Sequence, residues 1–160
     1  MVSGLEKLYL ERAQNELSLA KAIFELSINK DKKISIGLKE NSTFFSNVIG
    51  NCYYCIFYSA KAILLFYGIK TKAPNEHKKT LDEFEKLVKN GKIDRQLLKI
   101  YEDIVVKADE LFSIFKKEKA KRGKFTYKTL PQANLSPAQE SLENAEKFHK
   151  HAVIMIEGGI

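Results

Sequence analysis

The chain has 160 residues, 44% of them hydrophobic and 29% charged, which suits one folded domain (1–160) with a single core and excludes a disordered chain. Three prolines and eight glycines are too few for an all-β fold of many tight turns, and two cysteines exclude a disulfide-stapled scaffold. The net charge of +7 permits an acidic partner.

Apolar spacing is helical along most of the chain. In the first segment Leu10, Ala13, Leu17, Ala20 and Phe24 recur at steps of three and four. Residues 29–41 are polar, contain Gly37 and break the period, so a loop is expected there. Ile34 to Leu38 is the only short stretch with any strand character. Asn41, Ser42 and Thr43 are suitable caps for a second helix, which runs to about Tyr67 and stops at Gly68. A linker from Ile69 to Pro74 leads to Asn75, the expected cap of a third helix carrying Leu81, Phe84 and Val88 and closed by Asn90 and Gly91. Asp94 is the expected cap of a fourth, whose stripe of Leu97, Tyr101, Ile104, Ala108, Leu111 and Phe115 ends at Gly123. Ser136, Pro137, Ala138 and Gln139 read as a capping box with proline at the first helical position. The last helix places Ala138, Leu142, Ala145, His149, Ala152 and Ile156 on one side and stops at Gly158 and Gly159. The expected fold is all-α, an antiparallel bundle of four long helices and one short one.

The second helix is apolar nearly all round, from Phe44 to Tyr67. Asn51, Lys61 and four tyrosines argue against a membrane span, since a central lysine costs about 2.5–3.5 kcal/mol on insertion. Such a helix is wrapped by others or meets a second subunit, and the surplus apolar surface predicts a homodimer. The N-terminus lacks a basic flank followed by an apolar run, so no signal peptide is expected and the setting is cytoplasmic.

Cys52 and Cys55 match C-x-x-C, but no further cysteine completes a metal site, and they read as buried thiols. His149 and His151 are two residues apart, point to different sides of a helix and cannot hold one metal together. No metal or cofactor is expected. The basic excess is concentrated between Lys116 and Lys128, where seven lysines and arginines face one acid and carry +6. Such a run suits the C-terminal end of a helix. With Phe125 and Tyr127 inside it, it also suits single-stranded nucleic acid. His77, within Asn75-Glu76-His77-Lys78-Lys79, opens the third helix, where an isolated histidine is commonly a surface residue.

The order of these elements resembles the HEPN domains. Residues 51–68, NCYYCIFYSAKAILLFYG, resemble their tyrosine-rich second-helix signature. His77-Lys78 and Phe84 match a histidine-lysine pair opening the next helix and a phenylalanine following it, and Arg122 with Tyr127 matches an R-x-x-x-x-Y element before the last helix. The resemblance spans roughly residues 5 to 156 and implies a HEPN-like helical bundle that forms homodimers. It also implies a toxin-like RNA- or nucleotide-binding protein paired with a minimal nucleotidyltransferase as antitoxin. Metal-independent endoribonucleases of this kind carry R-x4-6-H, in which arginine holds the scissile phosphate and histidine moves the proton. Counted from Arg122, that histidine falls on Tyr127, Lys128 or Thr129. The resemblance therefore leaves Arg122, His77 and Tyr127 as catalytic candidates and Lys119, Lys121, Arg122, Lys124 and Lys128 as nucleic-acid contacts. The alternative is a catalytically silent module that binds the nucleotidyltransferase.

Overall fold

The computed structural model describes residues 4–112 and 134–158, and these are helical apart from short connections. Six α-helices follow one another: α1 (Gly4–Ile28), α2 (Lys30–Ser35), α3 (Phe45–Phe66), α4 (Glu76–Lys89), α5 (Arg95–Phe112) and α6 (Leu135–Val153). A π-helical turn, Ile154–Gly158, extends α6. No strand occurs among the described residues, and the one stretch with strand character, 34–38, is the end of α2 and its turn.

α3 is the axis. It packs against α1, α4, α5 and α6, and its buried residues cover almost its whole circumference. Leu10, Ala13, Leu17 and Ala20 of α1 fill one side. Leu97, Tyr101, Ile104 and Ala108 of α5 face the core, as their spacing predicts, with Leu111 half-buried; Phe115 and Gly123 lie outside the described residues. On α6 the buried set is Ala138, Ser141, Ala145, Phe148, His149 and Ala152. Phe148 was absent from the predicted stripe, and it closes an aromatic cluster with Phe84 and Tyr101 at ring separations of 5.5 and 6.0 Å.

Among the described residues most of the apolar circumference of α3 is covered by the chain's own helices, while Leu65 is half-buried and Phe66 exposed. The same burial accounts for its membrane-like composition. α3 is long and apolar enough to cross a bilayer, but 78% of its most apolar window is buried within the bundle. One narrow stripe along α3 stays open, Asn47 exposed and Asn51, Tyr54 and Tyr58 half-buried at helical steps of four, three and four, and the last turn leaves Leu65 half-buried and Phe66 exposed.

Several helix ends differ from expectation. The loop expected over 29–41 contains α2, whose first turn is capped by Asn29 Oδ1 accepting the Lys32 N–H at 2.9 Å. Six residues are too few to display an apolar period. The segment is held instead by Lys33, buried on its aliphatic stem, whose Nζ donates to the Ser27 and Ser42 carbonyls at 3.0 and 2.8 Å. α3 is not capped by Asn41, Ser42 or Thr43. Phe44 occupies the cap position, and its N–H donates to Ser27 Oγ on α1 at 2.9 Å, a partner 17 residues away. Asn75 does precede α4, but in the left-handed region (φ 57°) with no side-chain capping bond. The box expected at Ser136 lies inside α6, which begins at Leu135.

Other ends form as the residues predict. α3 and α4 finish at Gly68 and Gly91, both at positive φ. There the N–H of Ile69 reaches the Leu64 carbonyl at 2.8 Å and that of Lys92 the Leu87 carbonyl at 2.9 Å. Asp94 Oδ1 accepts the Gln96 N–H at 2.8 Å and starts α5.

Candidate functional site

A helix with tyrosine at two adjacent positions and again four residues on must send its rings to neighbouring faces. On α3, Tyr53, Tyr54, Phe57 and Tyr58 form a continuous group of rings beside the start of α4. His77, in the first turn of α4, inserts into that group. Its ring stacks on Phe57 with centroids 4.5 Å apart and meets the edge of Tyr54 at 6.0 Å. Its Nδ1 shares a hydrogen bond of 2.8 Å with the Tyr53 hydroxyl. His77 is therefore half-buried and oriented, not the surface residue that an isolated histidine at a helix start suggests. Burial lowers its pKa below the ordinary histidine value, Glu76 opposes that shift and Lys61 adds to it, so the imidazole is neutral at pH 7. With Nδ1 occupied, Nε2 is the nitrogen left for a ligand.

Beside the rings lies an ion pair whose lysine is buried and whose glutamate is half-buried. Lys61 is the one lysine of α3 and is buried. Its ammonium donates to the Glu76 carboxylate and, at 3.2 Å, to the Thr71 carbonyl. It also lies 4.8 Å over the ring of Tyr9 and 5.7 Å over that of Phe57. Burial works against its charge, but the hydrogen bonds to Glu76 and Tyr9 outweigh that cost and hold its pKa above the ordinary lysine value. Thr71 and Thr80 share a hydrogen bond of 2.7 Å, which ties the segment before α4 to its second turn. On α1, Tyr9 stacks with Tyr58 at 6.1 Å, and the Arg12 guanidinium lies 5.7 Å from each of these rings.

Between the 69–72 segment and α4 a groove of about 470 Å³ is lined by Lys70, Lys72, Lys79 and Lys86 with Asp82 and Glu83. Asp82 pairs with Lys78 at 2.8 Å and Glu83 with Lys86 at 3.4 Å, so the groove is net basic.

Of the predicted site residues, His77 is placed in this cluster. Lys119, Lys121, Arg122, Lys124, Tyr127 and Lys128 lie outside the described residues. Tyr9, Arg12, Tyr54, Tyr58, Lys61 and Glu76 were not singled out as site residues. One signal for two of them was legible: a lone lysine in an apolar helix must find a counter-charge, and Glu76 beside the conspicuous His77 supplies it.

The remaining polar candidates are structural. His149 is buried and shares a hydrogen bond of 3.1 Å with Ser59 Oγ, while His151 is exposed. Burial lowers the pKa of His149 as well. Cys52 and Cys55 are free, fully buried thiols. Burial raises both pKa values, that of Cys55 to about 12, which keeps the sulfurs protonated and unreactive. Among the described residues no group of three His, Cys, Asp or Glu side chains is arranged to hold a metal ion.

No family model matches this chain, and no curated protein or solved structure matches it. The resemblance to HEPN domains therefore rests on the residues quoted for it.

Proposed function

We propose that this chain is a HEPN-type RNA- or nucleotide-binding protein, the toxin-like half of a pair with a minimal nucleotidyltransferase. The observation that carries the reading is the contact between Tyr53 and His77. The tyrosine run and the histidine-lysine pair are separate elements of the resemblance, 24 residues apart in sequence, and they meet in one aromatic cluster. The all-helical fold suits the reading. So do the net basic groove beside the cluster and the charge of +6 between Lys116 and Lys128. In this reading Arg122 and the flanking lysines hold phosphates, Tyr127 stacks or hydrogen-bonds, and the protein acts as a cytoplasmic homodimer.

In the enzymatic form of the reading, RNA is cleaved without metal. With Nδ1–H donating to the Tyr53 hydroxyl, neutral His77 accepts the proton of the attacking 2′-hydroxyl at Nε2. The 2′-oxygen bonds to phosphorus, the bond from phosphorus to the 5′-oxygen breaks, the leaving 5′-oxygen takes a proton from water, and Arg122 stabilises the charge developing on the phosphate. The second reading, a silent module that binds the nucleotidyltransferase, is favoured by Tyr127, Lys128 and Thr129 standing where R-x4-6-H requires histidine.

The test is RNA binding and cleavage in EDTA. Replacing Lys119, Lys121, Arg122 and Lys124 with alanine should abolish a strongly salt-dependent binding and leave the helical signal unchanged. Arg122→Ala and His77→Ala should each reduce cleavage by about 100-fold or more. Cleavage by Arg122→Ala at the parental rate removes the enzymatic reading in favour of the silent module. Unchanged binding by the quadruple variant removes the basic segment.

A further inference from the structure

We propose that Tyr9, Arg12, Tyr54 and Tyr58 form a stacking surface for an unpaired nucleobase, with Arg12 holding the phosphate attached to it. The inference rests on the RNA-binding reading above and gives the His77 site its base-binding wall.

Among the described residues Tyr53 and Tyr101 are fully buried in the core. Four tyrosines are half-buried: Tyr67, at the end of α3, donates to the Lys92 carbonyl at 3.2 Å, whereas Tyr9, Tyr54 and Tyr58 lie together between α1 and α3. Tyr54 and Tyr58 sit on the open stripe of α3, which the half-buried Leu65 continues, while the exposed Phe66 lies at the end of the helix. A helix apolar elsewhere on its circumference thus presents aromatic rings where it meets solvent. Sealing an edge of the core does not require flat rings, and leucine or lysine stems do it as well.

Charge is arranged to match. Arg12 is exposed and stands 5.7 Å from the rings of both Tyr9 and Tyr58. It makes no ion pair among the described residues. Glu16, one turn along α1 and able to reach it, instead accepts a hydrogen bond of 2.8 Å from Asn51. Below the surface, Lys61 and Glu76 neutralise each other. His77 adds a neutral ring beside Tyr54. The result is a group of rings with an exposed guanidinium at its rim and the Glu16 carboxylate one turn further along α1.

A planar group with an anionic tail is complementary to that surface. The base stacks on the rings, and the guanidinium fork takes the phosphate. An acidic peptide would use Arg12 but not the rings. A duplex hides its base faces, so the occupant is single-stranded. Stacking tolerates any base, so selectivity for sequence is expected to be low.

The chain has seven tyrosines and no tryptophan, so its intrinsic fluorescence comes from tyrosine and reports stacking on them directly. Full-length protein is titrated with a mixed-sequence single-stranded RNA, with an abasic oligonucleotide of the same length, and with the corresponding duplex. The single strand should quench the emission and bind about 10-fold tighter than the abasic oligomer or the duplex. Tyr58→Leu should remove that advantage and leave binding of the abasic oligomer unchanged, Tyr58→Phe should retain it, and Arg12→Gln should weaken RNA binding with no change in helical signal. Should Tyr58→Leu fail to fold, Tyr54→Leu and the exposed Arg12→Gln carry the test. Equal affinity for RNA and abasic oligomer, or parental RNA affinity in Arg12→Gln and the tyrosine-to-leucine variant, overturns the stacking surface and leaves RNA binding through the basic segment standing. Absence of binding by the parent to any of the three oligomers overturns the RNA-binding reading together with it.

Discussion

Two histidines in this protein do nearly the same thing in different places. Each uses Nδ1 to share a hydrogen bond with a hydroxyl on α3: His149 with Ser59 at 3.1 Å, His77 with Tyr53 at 2.8 Å. Each has its pKa lowered, chiefly by burial. His149 is enclosed in the bundle, and its bond serves only to satisfy polar atoms that folding has removed from water. His77 is half-buried, beside a charged pair and half-buried aromatic rings. The local chemistry is shared, so the difference lies in access. A fixed, neutral imidazole becomes a reactive or binding group only where a ligand can reach the second nitrogen.

The sharpest way to break the contrast is to remove the wall that holds His77. Phe57 is nearly fully buried and carries the His77 ring on its face. Phe57→Ala should destabilise the fold by about 3–5 kcal/mol and free His77 to move. Denaturant unfolding measures the first effect, and an NMR titration showing the His77 pKa returning towards the ordinary value measures the second. A loss under 1 kcal/mol would mean that Phe57 is not part of the core.

A smaller perturbation separates the two hydroxyl partners. Ser59→Ala strands a buried His149 nitrogen and should cost about 1–3 kcal/mol in stability, with RNA binding unchanged. Tyr53→Phe removes the partner of a half-buried nitrogen that water can reach, so its stability cost should be nearer 1 kcal/mol or below. Its effect should appear instead in cleavage or in the His77 titration. Equal costs, with no change at His77, would remove the distinction.

The gentlest test is pH. Both histidines have folded pKa values below the unfolded one, so the unfolded chain takes up protons first as pH falls. Stability should be full above about pH 6.5 and decline as pH falls from there through the folded pKa values. Unfolding midpoints measured between pH 7.5 and 5 should show the decline, and a His77→Asn, His149→Asn double variant should flatten it. A midpoint that rises on acidification would contradict the burial of both rings.

Much of the fold was legible in the residues. The three-four stripes of α1, α5 and α6 are backbone geometry written in apolar side chains, and Gly68, Gly91 and Asp94 mark helix ends because the required conformations and hydrogen bonds are local. The burial of Cys52 and Cys55 followed from an apolar helix and the lack of further ligands. Tertiary structure decided what depends on distant partners. α3 begins at Phe45 because Ser27 of α1 takes the Phe44 N–H, which no residue near Asn41 reveals. α2 is held by Lys33 bonding carbonyls on both flanks. His77 gained its aromatic and hydrogen-bonding partners only when α4 brought it against Tyr53 and Phe57, and Glu16 of α1 is engaged by Asn51 of α3. Sequence fixes local geometry and which faces must be buried. Which polar groups then meet across the helices, and which stay open to a ligand, is set by the packing of helices far apart along the chain.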